Sequence, residues 1–281
     1  MNHCVVMTAY KDVEQINRFI NLAPKNFDFY VHLDKKSTID KSALSARAKV
    51  FSVYNIFWGG VEHLKAFLFL LKEAYSSGKE YDFFHLCTGQ DFFACPLSSF
   101  DSKFREDTCY LDFYMLPKKN WWHGGFYILK YKTLASFCDV RKPMNRIANF
   151  GFYLYQWIFI KQRPLPMYKM ACGAVYCSLP KGAVEECLFG DVAQDLLERL
   201  SDTTCGEEVF FQTVLWNSKY REKIVKNNLR YVDWTVKAPP KFLEECDYKK
   251  IVDSDNCFCR KIDSVKSKSL IDKLEKYVVE K

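Results

Sequence analysis

With 281 residues, 49% of them apolar and 17% aromatic, the chain has ample material for a core and cannot be a disordered segment. Its 41 basic and 34 acidic residues leave a formal charge of +7, compatible with phosphate ligands or an anionic membrane surface. The basic residues do not cluster in any recognisable nucleic-acid module, so no nucleic-acid partner is expected.

The first element is a short apolar strand from Cys4 to Thr8, followed by Val13, Ile16, Phe19 and Ile20 at helical spacing. Phe27 to Leu33 reads as a second strand ending in His32-Leu33-Asp34, and Ala48 to Val53 as a third. The third runs to Trp58-Gly59-Gly60, where paired glycines permit close backbone approach to a ligand. Val61, Leu64, Phe67, Leu68 and Leu71 share one face of the next helix, and Gly78 can supply the left-handed residue at its end. The stretch YDFFHLCTGQDFFACPL (Tyr81 to Leu97) then opens on a continuous apolar run, the pattern of a strand covered on both faces. It stops at Thr88-Gly89-Gln90-Asp91, a polar turn. The order β-α-β-(α)-β-α-β argues a doubly wound parallel sheet, in which ligands lie beyond the carboxyl ends of the strands, so this turn is a candidate floor for a site. Neither G-x-G-x-x-G after the first strand nor a P-loop occurs, which removes the dinucleotide and P-loop classes.

Residues 107 to 116 read as another strand carrying Asp112. Lys118, Lys119, Trp121 and Trp122 follow as a basic-aromatic patch of the kind that suits sugars, whose C–H faces lie on indole rings. Phe150 to Ile160 is an apolar run too short to span a bilayer, flanked by Arg141, Lys142, Arg146, Lys161 and Arg163. It reads as a buried helix, with a surface-lying membrane anchor as the alternative. Gly173 to Ser178 is a further strand, and Pro180 opens the helix after it. Thr204-Cys205-Gly206-Glu207 fits a capping box, which would account for Glu207. Glu208 has no such role, and it shares a face with Phe211, Gln212 and Leu215. Leu229 to Trp234 is a late strand, Arg260-Lys261 a short basic pair, and Leu270, Ile271, Leu274 and Val278 mark a closing amphipathic helix.

The 12 cysteines mostly lie in apolar runs and lack zinc spacing, so they read as reduced, buried thiols. The apolar start at Cys4-Val5-Val6-Met7 is too short for a secretory leader.

Four segments, in order, resemble the core-2/I-branching glycosyltransferases, the N-acetylglucosaminyltransferase and peptide xylosyltransferase group called glycosyltransferase family 14. FYVHLDKKS is similar to the family's donor-side strand ending in His-x-Asp. HLCTGQDFFACPL is similar to its Leu-x-Gly-x-Asp-[Phe/Tyr]-Pro segment, departing from the usual Asp-Phe-Pro at Phe93-Ala94-Cys95-Pro96. GAVYCSLPKGAVEECL with CGEEVFFQTVL resembles its G-x-x-[YW] strand and catalytic helix start, and LRYVDW with CFCRKID its late Trp strand and closing basic segment. Together they cover roughly residues 3 to 265.

The resemblance implies one GT-A-type α/β domain over 1–281, with a mostly parallel central sheet flanked by helices. It implies an inverting transfer of a sugar from a UDP-sugar to a hydroxyl of a glycan or glycolipid. Glu208 falls on the catalytic base; Thr8, Asp34, Gly60, Arg260 and Lys261 fall on the donor side; Asp91, Asp112 and Trp234 on the acceptor side. A second base for the diphosphate stays open among Arg230, Lys237 and Lys241. No divalent metal is expected, since fixed charge from Lys261 and Arg260 can stabilise the leaving group, and the lone Asp-x-Asp, Asp253-Ser254-Asp255, reads as a polar turn. A carboxylate at a helix N-terminus should have a lowered pKa, so burial must offset this if Glu208 is a base. Without a leader or a span, the chain is similar to bacterial members, and a cytoplasmic setting is expected, with peripheral contact to an anionic membrane. The competing class is a non-catalytic glycan- or membrane-surface-binding protein that retains the fold.

Overall fold

The computed structural model describes residues 1–119, 121–236 and 239–279. The apolar runs become strands and the 3.6-residue patterns become helices, in the order β1 (His3–Ala9), α1 (Val13–Leu22), β2 (Phe27–Leu33), β3 (Ala48–Phe51), α2 (Glu62–Tyr75) and β4 (Phe83–Thr88). There follow β5 (Asp91–Phe93), β6 (Cys109–Leu111), β7 (Tyr114–Met115), α3 (Tyr127–Lys130), α4 (Pro143–Phe159), β8 (Ala171–Cys172) and β9 (Cys177–Pro180). The chain ends with α5 (Lys181–Phe189), α6 (Asp191–Leu200), α7 (Glu207–Trp216), β10 (Ile224–Val225), β11 (Arg230–Val232), α8 (Tyr248–Asp253), β12 (Phe258–Arg260) and α9 (Lys268–Val279).

Seven strands form the central sheet in the order β10-β6-β9-β4-β1-β2-β3. β1 pairs in parallel with both β2 and β4, and β3 continues the parallel set beside β2. The sheet is mostly parallel, as expected, with β9 the exception: it runs antiparallel to β4 and to β6. The expected single strand over 107–116 also divides. At Asp112 the chain leaves the main sheet, and β7 pairs instead with β8. A small sheet of β11, β12 and β5 is laid beside the exit of β4.

Side chains alternate across β1: Cys4 and Val6 join one core, Val5, Met7 and Ala9 the other. The first core is closed by α2, α5, α6 and α7 through residues such as Leu64, Phe67, Leu196 and Phe210. The second is closed by α1, α9 and the small sheet, with Phe19, Phe92, Phe93, Phe258 and Leu274 fully buried. Each such side chain contributes about 1.5–3 kcal/mol by leaving water. All 12 cysteines are free, and most are buried, as expected of small apolar side chains.

α4 corrects the sequence reading. It is not a buried helix: Phe150, Trp157 and Phe159 are 68%, 63% and 72% exposed, and Gln156 is its one buried residue. Asn145, Asn149 and Gln156 lie one or two turns apart and form the attached face, so attachment is chiefly by hydrogen bonds, with the Tyr153 ring packed edge-on against Trp122 and Tyr131. Among the described residues no helix is long and apolar enough to cross a membrane.

Candidate active site

Between β1 and β4 the strand order reverses, β2 and β3 lying on one side and β9 and β6 on the other. Such a switch point opens a crevice beyond the carboxyl ends of the two strands, here at Thr8 and Thr88. Thr8 is the penultimate residue of β1, and its hydroxyl lies 3.1 Å from Nε2 of His63 in the first turn of α2. The other nitrogen of His63, Nδ1, is 3.1 Å from Oε1 of Glu207 at the start of α7. Asp34 lies just beyond β2. Its Oδ1 accepts from the backbone N–H groups of Lys36 and Ile56, and the Lys36 ammonium reaches both oxygens at 2.8 Å. The acid therefore ties two loops into one wall of the crevice. Gly60 approaches so closely that a Cβ would meet the Ala135 carbonyl oxygen at 2.9 Å, and the Cys205 N–H bonds Gly59 O at 2.8 Å. The paired glycines thus bring the start of α7 against the start of α2.

Glu207 is not a cap. The N-cap of α7 is Gly206, without a side-chain hydrogen bond, and the Thr204 hydroxyl turns to the Cys205 sulfur. The carboxylate is drawn instead to an imidazole 144 positions earlier in the chain. Glu208 makes no side-chain hydrogen bond or ion pair among the described residues. Burial, then the neighbouring charge of Glu207, push its carboxyl up to about 7, with Lys118 opposing and Asp112 adding to the rise. Desolvation and like charge overcome the helix-terminal field that would lower it. Its backbone is fixed in turn: Glu208 O accepts from Gly173 N at 2.8 Å. A side chain on Gly173 would collide with the Asp112 carbonyl. Asp112 Oδ2 accepts from Ala174 N at 3.1 Å, and Gln212 Nε2 donates to the Asp112 and Ala174 carbonyls. Asp112 and Glu208 are therefore brought to one place. Lys118 reaches the same region and lies over the Tyr114 ring at 3.9 Å and the Trp121 ring at 4.8 Å. Glu207→Gln removes the like charge beside Glu208 and should move the acid limb of any Glu208-dependent activity to lower pH. A pH–rate profile checks this, and an unmoved limb would leave Glu207 with a structural role alone.

Across the crevice stand Arg260 and Lys261. Ladder pairing sets Arg260 opposite Asp91, whose Oδ1 is 3.1 Å from the arginine Nε. Asp91 also accepts from the Thr88 N–H and hydroxyl, closing the turn at the end of β4. This corrects its acceptor-side assignment: at 1% exposure, with both oxygens turned to Arg260 and Thr88, Asp91 has no surface to offer an acceptor. The Arg260 guanidinium lies 3.5 Å from the centre of the Tyr176 ring. Tyr176 in turn feels Arg260 and both Glu207 and Glu208, which sets it between the cations and the carboxylates. Burial, and then Arg260, Lys11 and Arg141, push the Lys261 ammonium below its ordinary pKa. No carboxylate lies within 4 Å of it among the described residues.

Of the candidates for the second diphosphate base, Arg230 and Lys241 are both engaged by other protein groups. Arg230 is buried behind the sheet, where it donates to Ser178 Oγ and Cys177 O at 2.8 Å. Lys241 is held by Asp247 at 2.8 and 3.0 Å. Lys237 lies outside the described residues. Trp234 is 62% exposed, and no hydrogen bond or ring contact ties it to Asp112 or Glu208 among the described residues. Among those residues no group of three or more His, Cys, Asp or Glu is arranged to hold a metal ion. Asp255 pairs with Lys103, next to Phe104, which packs on His3 and Phe83 at the opposite end of the strands from Thr8.

The sequence profile of the Core-2/I-Branching enzyme family matches residues 4–252. The chain belongs to the Core-2/I-branching enzyme family. Its mixed sheet with helices on both faces is the GT-A-type arrangement. Among similar proteins, Xylosyltransferase 1 of Mus musculus is 23% identical over 303 aligned positions, covering 96% of this chain and 29% of its own. Xylosyltransferase 1 of Homo sapiens is 24% identical over 287 positions, covering 90% of this chain and 28% of its own. The chain thus spans under a third of the length of these relatives.

For this family member, sequence reasoning missed His63, and it assigned no role to Tyr176. His63 carried no signal beyond its place three residues after the glycine pair, and its partners come from β1 and α7. Tyr176 closes the G-x-x-[YW] segment, which could have marked it.

Proposed function

We infer that this core-2/I-branching family member is a glycosyltransferase moving a sugar from a UDP-sugar to a hydroxyl of a glycan or glycolipid acceptor, with inversion at the anomeric carbon. The observation that carries the reading is the Glu208 carboxyl, free of any hydrogen-bond partner among the described residues and raised to about 7 in a crevice whose other wall is cationic. A base works best when its pKa lies near the working pH. In the transfer, the acceptor hydroxyl gives its proton to the Glu208 carboxylate as its oxygen bonds to the anomeric carbon. The bond from that carbon to the diphosphate oxygen breaks on the opposite face, and UDP leaves with the electron pair.

Asp34, Thr8 and Gly60 then form the nucleoside side of the crevice, and Asp112 with the Lys118–Trp121 patch the acceptor side. Trp234 joins the acceptor side only if the acceptor extends over β11. Lys261 and Arg260 face the departing phosphates. A lysine desolvated among like charges gains most when an anion arrives, which supports fixed cations in place of a divalent metal. Asp91, behind Arg260, acts as a positioning residue.

The test is UDP release from a panel including UDP-N-acetylglucosamine and UDP-xylose, with glycan and glycolipid acceptors, in excess EDTA. Turnover that persists in EDTA and is lost in Lys261→Ala is the expected result. Activity that vanishes in EDTA and returns with manganese would overturn the metal-free part. UDP-sugar binding without release under any condition would favour a binding protein that keeps the fold.

A further inference from the structure

α4 carries its polarity the reverse way for a helix on a protein in water. Apart from the Tyr153 ring on Trp122 and Tyr131, its attached face is polar: Gln156 Oε1 accepts from Lys132 N at 2.8 Å, and its Nε2 donates to Lys132 O at 3.1 Å. Asn149 Oδ1 accepts from Leu134 N at 2.9 Å and from the Thr133 hydroxyl at 3.0 Å, and Asn145 Nδ2 donates to Asp139 O at 3.0 Å. The outward face holds Met144, Ile147, Phe150, Leu154, Trp157 and Phe159, all exposed. Amides that satisfy buried backbone groups fix the helix in this orientation, so the apolar face is held outward by specific bonds and not by default.

The charge around this face has one sign. From Val140 to Val184 the chain contains no Asp or Glu, while Arg141, Lys142, Arg146, Lys161, Arg163, Lys169 and Lys181 are basic. Arg141 and Arg163 are answered by Asp139 and Asp202. Lys142 and Arg146 at one end of α4, and Lys161 just past the other, have no carboxylate within 4 Å among the described residues. A second copy of this chain is a poor occupant, because face-to-face pairing would bring these unanswered cations together with no acid between them. A surface that is apolar inside and anionic at its rim complements both features.

We propose that α4 docks in the plane of an anionic lipid bilayer, with Phe150, Trp157 and Phe159 at the boundary of headgroups and acyl chains and Lys142, Arg146 and Lys161 on lipid phosphates. Trp157 and Tyr155, each with an apolar ring and a polar edge, suit that depth. This goes beyond the transfer reaction and stands whether or not the reaction is as inferred above.

Flotation of the purified protein with vesicles of phosphatidylcholine, alone or mixed with phosphatidylglycerol, tests it. Recovery with the anionic vesicles at low salt should exceed that with neutral ones by about tenfold or more, and should fall as salt rises. The triple variant Lys142→Glu/Arg146→Glu/Lys161→Glu and the double variant Phe150→Ser/Trp157→Ser should each lose about tenfold or more, with unchanged circular dichroism. Should either variant misfold, quenching of the wild-type protein by brominated acyl chains, reduced in Trp157→Phe, reads the same contact. Equal recovery with neutral and anionic vesicles, recovery with neither, or a wild-type dimer that the double variant dissociates would each overturn the proposal.

Discussion

Glu208→Gln lowers turnover by about a hundredfold or more, the low end of what a positioned general base supplies, and leaves UDP binding nearly intact. The amide keeps the shape and volume of the side chain but cannot take the acceptor proton. With wild-type protein, turnover rises with pH through about 7, as the carboxyl held there by burial and by Glu207 ionises. Stability moves in the opposite sense. The folded pKa of about 7 exceeds the unfolded value of about 4.3, so the unfolded chain releases its proton first. The wild type therefore loses stability as pH climbs from about 4.3 to about 7, a loss on the order of 3–4 kcal/mol that Glu208→Gln avoids. The variant should match the wild type near pH 4 and exceed it near pH 8 in denaturant midpoint. Near-wild-type turnover in the glutamine variant would remove Glu208 from the role.

The second large effect is on the fold beneath the site. Asp91→Ala strands Arg260, which is 5% exposed, without its counter-charge, and unties the turn closed by Thr88. Breaking one side of a buried ion pair costs about 3–5 kcal/mol, seen as a lower denaturant midpoint at unchanged slope. Asp91→Asn keeps an oxygen for the Thr88 N–H and hydroxyl and loses only the charge, so it should fall between wild type and alanine. Because the two residues meet directly, Arg260→Ala combined with Asp91→Ala should cost clearly less than the two losses added. Simple additivity would mean that the pair is not coupled and that Arg260 is positioned by Tyr176 alone.

The first half of the fold was legible because its central strands are short, mostly apolar runs. β1, β2 and β4 need no partner to be recognised, and α2 and α9 show their inward faces by spacing alone. Glu208 stood out for the same kind of reason, a carboxylate beginning an apolar face with no local bond to account for it. What escaped was what distant residues decide. A Thr-x-x-Glu pattern at the start of α7 offers a capping box, but His63 competes for the carboxylate from another helix and wins. Asp91 read as a loop acid until β12 set Arg260 against it. β9 read as a strand without a direction, since no local residue records its direction of approach. α4 deceived by composition: its apolar residues are those of a core helix, and only the targets of its three amides show which side faces in.

Those amides have a thermodynamic consequence. The body of the protein is held by buried hydrocarbon, so its unfolding carries a large heat-capacity change and its stability passes through a maximum on cooling. α4 is held mainly by hydrogen bonds to residues 132–139, with the half-buried Tyr153 on Trp122 and Tyr131, and covers less hydrocarbon than the core helices. Its release from the body therefore changes heat capacity little, so the enthalpy and entropy of attachment stay nearly constant with temperature. Attachment strengthens steadily as the temperature falls, while the core it rests on follows a dome. The two parts of one chain thus answer to temperature by different laws.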